Sequence, residues 1–127
     1  MGMDLYMVDA KGDHVTGNRV FSALMGWSMV KGDDVATDCI RGNVATRLID
    51  LHCGIDIRSM DEDQYSRMVS NDDLQRIVVA MKPRVTAMCK SLADERWDYS
   101  DAVIQIATLY AWLQYHANLG HHMRVSR

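Results

Sequence analysis

Two residue types that carry out nucleophilic chemistry stand next to each other in this chain. Cys53 directly follows His52, and a thiol beside an imidazole is the combination that a cysteine nucleophile and its base require. Successive residues of a helix point roughly 100° apart, however, so adjacent positions do not bring these two groups together. We therefore expect Cys53 to be a packed thiol and His52 to be a histidine on a helix face.

Residues that can bind metal ions are also present, but their spacing is not that of a metal site. Cys39 and Cys53 are fourteen positions apart, and neither has the nearby second cysteine of a structural zinc site. His116, His121 and His122 are expected to lie in a solvated tail. The sequence contains neither a glycine-rich phosphate loop nor the alternating acids of a calcium loop. We predict a protein that is not an enzyme and that holds no metal and no cofactor.

Composition indicates a globular protein of one domain. The chain has 127 residues, 48% of them hydrophobic and 24% charged, and a net charge of −3. A chain of this length can bury a core of its own. No apolar run approaches the ~20 residues that span a bilayer, and the acids near the start are unlike a secretory signal. Three unpatterned cysteines suit a reducing compartment. We expect a single cytoplasmic domain over residues 1–127 with no membrane partner.

Periodicity predicts a series of short elements in the first half of the chain. Helices are predicted over residues 18–32, 33–40 and 43–54, where Asn43 can cap the third helix and Gly54 can end it. Alternating residues then predict two strands, over residues 55–58 and 64–69. A further short strand is predicted near the start, at residues 5–8.

Longer helices are predicted in the second half of the chain. Ser70 begins a helix whose apolar stripe continues to residue 92, with Pro83 off the stripe, which favours a kink on the solvent side. A last helix is predicted over residues 101–118, capped by Ser100 and closed by Gly120. Residues 121–124 are expected to form a short tail.

The segment 18–58 resembles a winged helix-turn-helix domain of the compact type common in small regulators of bacteria and their phages. The resemblance rests on the helix N-R-V-F-S-A-L-M, the short helix D-D-V-A-T-D-C-I and the stretch R-G-N-V-A-T-R-L-I-D-L-H-C-G-I-D-I-R. It implies a mainly α fold, in which residues 14–69 form a winged helix-turn-helix of three helices and a short β-hairpin. Two or three C-terminal helices follow in residues 70–120.

The same resemblance implies a way of binding DNA. In this family the third helix lies in the major groove, and the wing contacts phosphate or the minor groove. Carried onto this sequence, the outward positions of the third helix are Asn43, Thr46 and Arg47, with Arg47 suited to guanine and Asn43 to adenine. The residues expected to hold phosphates are Lys31, Arg41 and Arg58. The leading hypothesis is a sequence-specific DNA-binding regulator of transcription.

The charge distribution supports a second hypothesis. Segment 18–58 contains five bases and five acids, and the expected wing tip at residues 61–63 consists of acids only. Acids at that position would repel phosphate, whereas most winged helices that bind DNA are basic. The alternative is an acidic protein-interaction module, of phage or plasmid type, that binds and inhibits a host protein without binding DNA.

The last helix is apolar over most of its circumference, which is typical of a helix buried by its own domain or by a partner subunit. In one interpretation it fills the core between the helix that begins at Ser70 and the first helix. In the other, which we favour, it forms a homodimer. The residues assigned to that interface are Leu109, Trp112, Leu113 and Tyr115.

Overall fold

A computed structural model describes residues 3–15, 39–41, 43–57, 66–95 and 98–126 of the chain. The first predicted helix, most of the second, and the acids at residues 61–63 lie outside the described residues. The phosphate-contact candidates Lys31 and Arg58 lie outside them as well. The described residues are mainly helical, with a small antiparallel sheet.

The sheet contains four strands among the described residues, in the order β2-β1-β4-β3, and every neighbouring pair is antiparallel. Its strands are β1 (Asp4–Val8), β2 (Cys39–Arg41), β3 (Ser66–Val69) and β4 (His122–Ser126). The predicted strand at residues 5–8 is confirmed by β1, where alternation directs Leu5 and Met7 into the core.

Register brings the buried side chains of neighbouring strands directly opposite each other. Leu5 lies between Ile40 of β2 and Val125 of β4, and all three are fully buried. Met123 of β4 similarly lies between Met7 and Val69. Cross-strand apolar pairs of this kind stabilise a sheet and fix its register, because a slip of one residue would turn each of them to the opposite face.

Strand β2 corrects the prediction of a helix up to residue 40. Cys39 and Ile40 form a strand whose Ile40 is buried against Leu5. Three residues are too few to show a period, so pairing with β1 rather than local pattern decides their structure.

The described residues of the predicted wing hairpin, 55–57 and 66–69, do not form a strand ladder with each other. Residues 54–57 lie outside any strand. Strand β3 confirms the end of the predicted second strand, but it pairs with β4. Arg67 of β3 donates a hydrogen bond to the backbone carbonyl of Asp56, so these two segments meet through a side chain rather than through a strand ladder.

The predicted tail at residues 121–124 is also wrong, because β4 runs through it in the middle of the sheet. The stretch H-M-R-V-S alternates polar and apolar residues, and its Met123 and Val125 are fully buried. A period of two was therefore present in the sequence, although the polar residues around it suggested a solvated end.

Four α-helices lie in the described residues: α1 (Asn43–Cys53), α2 (Asn71–Met81), α3 (Val85–Ala93) and α4 (Tyr99–Asn118). Several of their predicted ends are confirmed, but the predicted cap Ser100 lies inside α4, whose N-cap is Asp98. The Ser70 hydroxyl accepts a hydrogen bond from the Asp73 amide at 3.2 Å and caps α2. Gly54 and Gly120 follow α1 and α4 with φ of 67° and 77°, the left-handed conformation that glycine adopts most readily.

Pro83 separates α2 from α3, where the sequence favours one kinked helix. It lies in a single 3₁₀ turn, Lys82–Arg84, between the two helices. Proline has no amide hydrogen and crowds the preceding turn, so the α-helical ladder is interrupted there. The buried stripe nevertheless continues across the turn, from Leu74 and Met81 on α2 to Met88 and Leu92 on α3.

The helices and one face of the sheet enclose a single core. Helix α4 packs against α2 and α3, and α1 packs against the same two helices. Buried residues of all four strands and all four helices belong to one hydrophobic cluster, which contains the fully buried Trp112.

Candidate interaction surface

The predicted DNA-contact residues of α1 do not share one environment. Asn43 and Arg47 are exposed one turn apart, and Leu51 continues their row with 69% of its surface exposed. Thr46 is fully buried, and its hydroxyl donates a hydrogen bond to the carbonyl of Asn43 at 3.1 Å. The assignment of Thr46 as an outward position is therefore wrong, because it lies on the side of α1 that faces the core.

Arg47 takes part in a contact between two helices. Its guanidinium forms an ion pair with Glu95, just beyond the end of α3, and both side chains remain partly exposed. Two positions before the end of α3, the Ser91 hydroxyl lies 2.8 Å from Nε2 of His52. These two contacts join α1 and α3 in antiparallel orientation. Arg41 lies in β2 opposite Asp4.

His52 and Cys53, which are adjacent in the sequence, have different neighbours in the structure. His52 is directed to Ser91, whereas Cys53 lines a depression of about 660 Å³ between the end of α1 and α2. Burial raises the pKa of the Cys53 thiol, more than the nearby positive charge of Arg84 lowers it. Burial likewise raises the pKa of Cys89. The thiolate is the nucleophilic form of cysteine, and a raised pKa leaves less thiolate at neutral pH. Both cysteines are therefore weak nucleophiles.

Two histidines meet where α4 turns into β4. Nδ1 of His116 lies 2.9 Å from Nδ1 of His121, and the ring of His116 is fully buried. Asn71 joins this corner to α2, because its backbone amide donates to Nδ1 of His122 at 2.9 Å. Its side-chain amide also donates to the carbonyls of Ala117 and His121. The expectation of solvated histidines is wrong here, because His116 is part of a packed corner. In the described residues, no three or more His, Cys, Asp or Glu side chains are grouped to hold a metal ion.

Three of the four residues assigned to a dimer interface belong to the core. Leu109, Trp112 and Leu113 are fully buried within one copy of the chain, since they lie on the side of α4 that packs against α2 and α3. Their assignment to the interface is wrong. Tyr115 lies on the opposite side and has 43% of its surface exposed.

The solvent side of α4 carries an apolar surface that the sequence analysis did not single out. We call it the outer face of α4, and its apolar members are Val103, Ile104, Ala107, Ala111, Tyr115 and Leu119, the last one residue beyond the helix. Neutral polar residues complete it, namely Ser100, Gln114 and Asn118. All of these residues are described and uncharged, and the exposed Asp101, in the first turn of α4, adds one negative charge at the end of this face. The signal in the sequence was the row of apolar residues at intervals of four, from Val103 to Leu119.

A groove borders the outer face along its C-terminal half. It has a volume of about 430 Å³ and lies between α2 and α4, with Gln114 and Asn118 on the side of α4. Val79 and Lys82 form the opposite wall, and 73% of the surface of Val79 is exposed. The apolar surface thus extends from α4 towards α2 and meets a positive charge at Lys82.

Comparisons with known proteins supply no family for this chain. Its sequence matches no protein-family model, and no curated protein and no solved structure shows significant similarity to it. Among the described helices, none combines the length and apolar character needed to cross a membrane. The outer face of α4 is therefore interpreted from its own chemistry.

Proposed function

We propose that this chain is a protein-interaction module that docks the outer face of α4 against another protein surface. The observation that carries this proposal is the largely apolar exposed side of a helix of 20 residues, about 30 Å long, on which Asp101 in the first turn is the one acid. Water-facing helix sides of soluble proteins are ordinarily polar. An exposed apolar patch that is contiguous, rather than scattered over the surface, marks an interaction site.

The composition of the outer face favours a protein over a nucleic acid. Binding of DNA depends on lysines and arginines that neutralise phosphates and release counterions. None of the described residues of the outer face is a base, and Lys82 lines the groove at its border. Side chains such as Ile104 and Tyr115 gain free energy when another apolar surface removes them from water.

DNA binding through α1 is the second candidate. It is favoured by the exposure of Asn43 and Arg47 on one side of that helix, where they would reach base edges as the resemblance implies. Arg47 would have to leave Glu95 to do so. Arg47 can exchange Glu95 for DNA because an exposed ion pair of this kind contributes about 1 kcal/mol or less to stability.

Two matched substitutions separate the two candidates. Ile104→Glu places a charge on the outer face of α4, and Leu51→Glu places the same charge on the exposed row of α1. The tagged chain and both variants are used to capture proteins after nuclease treatment. Each captured protein is identified, purified and tested for direct binding. In parallel, binding to labelled genomic fragments is measured at about 50 mM salt.

We expect at least a tenfold weaker complex for Ile104→Glu and an unchanged one for Leu51→Glu. DNA retention that Leu51→Glu or Arg47→Ala weakens, together with protein binding that Ile104→Glu leaves unchanged, would overturn the proposal in favour of a DNA-binding regulator. Far-UV circular dichroism of both variants provides the folding control.

A further inference from the structure

We infer that three histidines where α4 turns into β4 form a pH-sensitive switch, which holds the start of α2 while they are neutral and loosens it when they are protonated. We call this site the histidine corner, and it consists of His116 in the last turn of α4 together with His121 and His122. Asn71 joins it to α2. The inference is independent of the proposed function, because none of these residues belongs to the outer face of α4.

His122 is the hydrogen-bond acceptor for the first amide of α2. The backbone amide of Asn71 donates to Nδ1 of His122 at 2.9 Å. The first amides of a helix have no partner within the helix, so His122 takes a place that capping side chains often fill. Nδ1 can accept only while it carries no proton, because both nitrogens of an imidazolium are donors. Protonation of His122 therefore removes this hydrogen bond and adds a positive charge at the positive end of the helix dipole.

The contact between His116 and His121 sets a second limit on protonation. Nδ1 of His116 lies 2.9 Å from Nδ1 of His121. One of these nitrogens must donate and the other must accept, so the contact allows one protonated ring but not two. A second proton would place two positive charges side by side. His116 is fully buried, with the uncharged rings of Trp112 and Tyr115 edge-on to it, and an unpaired charge is costly in such a place.

Charges near the end of β1 suit a pair that holds one proton. The pKa of Asp9 is lowered mainly by hydrogen bonds from two backbone amides of its own turn, and in part by the positive charge of His121. Lys11 and Asp13, in the same turn, are exposed. A proton on His121 is thus favoured by a carboxylate, and Nδ1 of His121 can then donate to a neutral His116.

Charges beside His122 do not replace the hydrogen bond that its protonation removes. In the first turn of α2, Asp73 forms an ion pair with Arg76 at 2.9 Å, and Asp72 lines the depression at the end of α1. Arg124, two positions along β4, donates a hydrogen bond to β3. A carboxylate can attract a protonated His122, but the Nδ1 proton would still face the amide donor of α2.

Protonation would loosen the histidine corner and leave the core in place. Met123 and Val125 of β4 are fully buried, and they pair with β1 and β3 through contacts that involve none of the three histidines. The side-chain amide of Asn71 bonds to the carbonyls of Ala117 and His121, which do not titrate. The change is therefore confined to the start of α2 and to the turn before β4.

Hydrogen exchange of the Asn71 amide tests this inference, because that amide donates to His122 itself. It is followed by NMR on the full chain at about pH 7.5 and about pH 5.5, on either side of the ~6.5 at which an imidazole ordinarily gains its proton. Rates are corrected for the direct effect of pH on amide exchange. The stabilisation is present at the higher pH and lost at the lower one. We expect protection of this amide to fall about tenfold, since pH 5.5 is about one unit below the ordinary midpoint.

Asparagine substitutions supply matched variants, because the amide oxygen of asparagine can replace Nδ1 of histidine and does not titrate. We expect His122→Asn to remove most of the pH dependence of Asn71 protection. His121→Asn still offers His116 a partner and should reduce the pH dependence in part, and the double variant should show none. His14→Asn is the control, since His14 is exposed, stacks on Tyr6 and lies outside the corner, so the full pH dependence should remain.

The remaining outcomes overturn the switch or one part of it. Equal protection of the Asn71 amide at both pH values would overturn it, as would a pH dependence that His122→Asn retains in full. An unchanged pH dependence in His121→Asn would remove the pair from the switch. Loss of protection throughout the sheet, including Leu5 and Met7, would show acid unfolding of the whole molecule instead. If His122→Asn does not fold, imidazole nitrogen-15 spectra of the wild type decide, because a protonated His122 beside a still protected Asn71 amide overturns the inference.

Discussion

Trp112 is the largest fully buried side chain in the described part of the molecule, and its burial assigns it a role in stability. Its ring lies edge-on to His116, with 5.8 Å between ring centroids, in the core beneath α4. The indole nitrogen has no hydrogen-bond acceptor among the described residues. An unpaired N–H in the core costs free energy, so Trp112 stabilises the fold through its apolar surface rather than through its polar atom.

We therefore predict that Trp112→Ala lowers the free energy of unfolding by about 3–5 kcal/mol, and that Trp112→Phe lowers it by about 1–2 kcal/mol. The smaller loss for phenylalanine follows because this substitution also removes the unpaired N–H. Urea unfolding measures both values. Tyr115→Ala, on the exposed side of the same helix, should change the value by about 0.5 kcal/mol or less. Equal losses for Trp112→Ala and Tyr115→Ala would contradict this assignment.

Among the elements, the corner where α4 turns into β4 depends on one residue of α2. Asn71 makes three hydrogen bonds to this corner, two of them from its side-chain amide to the carbonyls of Ala117 and His121 at 3.0 and 2.8 Å. These hydrogen bonds hold together the start of α2, the end of α4 and the first residue of β4. Local sequence predicts Asn71 only as part of a helix start, because its partners lie about 50 positions away.

We predict that Asn71→Asp destabilises the protein more than Asn71→Ala does. A carboxylate would face two carbonyl oxygens that need a donor, and this repulsion exceeds the ~1 kcal/mol or less that an acid gains at a helix N-terminus. We expect losses of about 2–4 and about 1–2 kcal/mol in urea unfolding. Asp72→Ala, an exposed change in the same turn, is the control and should have little effect. An aspartate variant as stable as the wild type would rule out these amide hydrogen bonds.

Helix boundaries could be predicted from the sequence, whereas the pairing of distant segments could not. Ser70, Gly54 and Gly120 act through the residues beside them, so their signals are local and the structure confirms them. Pairing of β3 with β4 depends on more than 50 intervening residues, and no local pattern encodes it. The sequence predicts the wrong side of α1 for Thr46, because threonine is compatible with either side and packing against the core decides between them.

For the whole molecule, β4 joins the two halves of the sheet, since it lies between β1 and β3. We predict that Val125→Ala, in the centre of this strand, lowers the free energy of unfolding by about 2–3 kcal/mol. Arg124→Ala, on the other face of the same strand, should cost about 1 kcal/mol, since it removes a hydrogen bond to Ser66. Guanidinium unfolding followed by circular dichroism compares the two. If this end of the chain were a solvated tail, both changes would be neutral.

The position of β4 in the sheet also has a consequence for the synthesis of the protein. Val8 of β1 pairs with His122 of β4, 114 positions later in the chain, and β3 has no partner other than β4 among the described strands. At ~5–20 residues per second, a ribosome needs on the order of 10 s to make the intervening chain. Until β4 is made, one edge of β1 has no partner among the described strands, and neither edge of β3 has one from the time β3 is synthesised, although buried residues such as Leu5 and Met7 have already left the exit tunnel. Slower translation would lengthen the time for which these strand edges are unpaired. The yield of soluble protein should therefore depend on the elongation rate and on chaperones that bind unpaired strands.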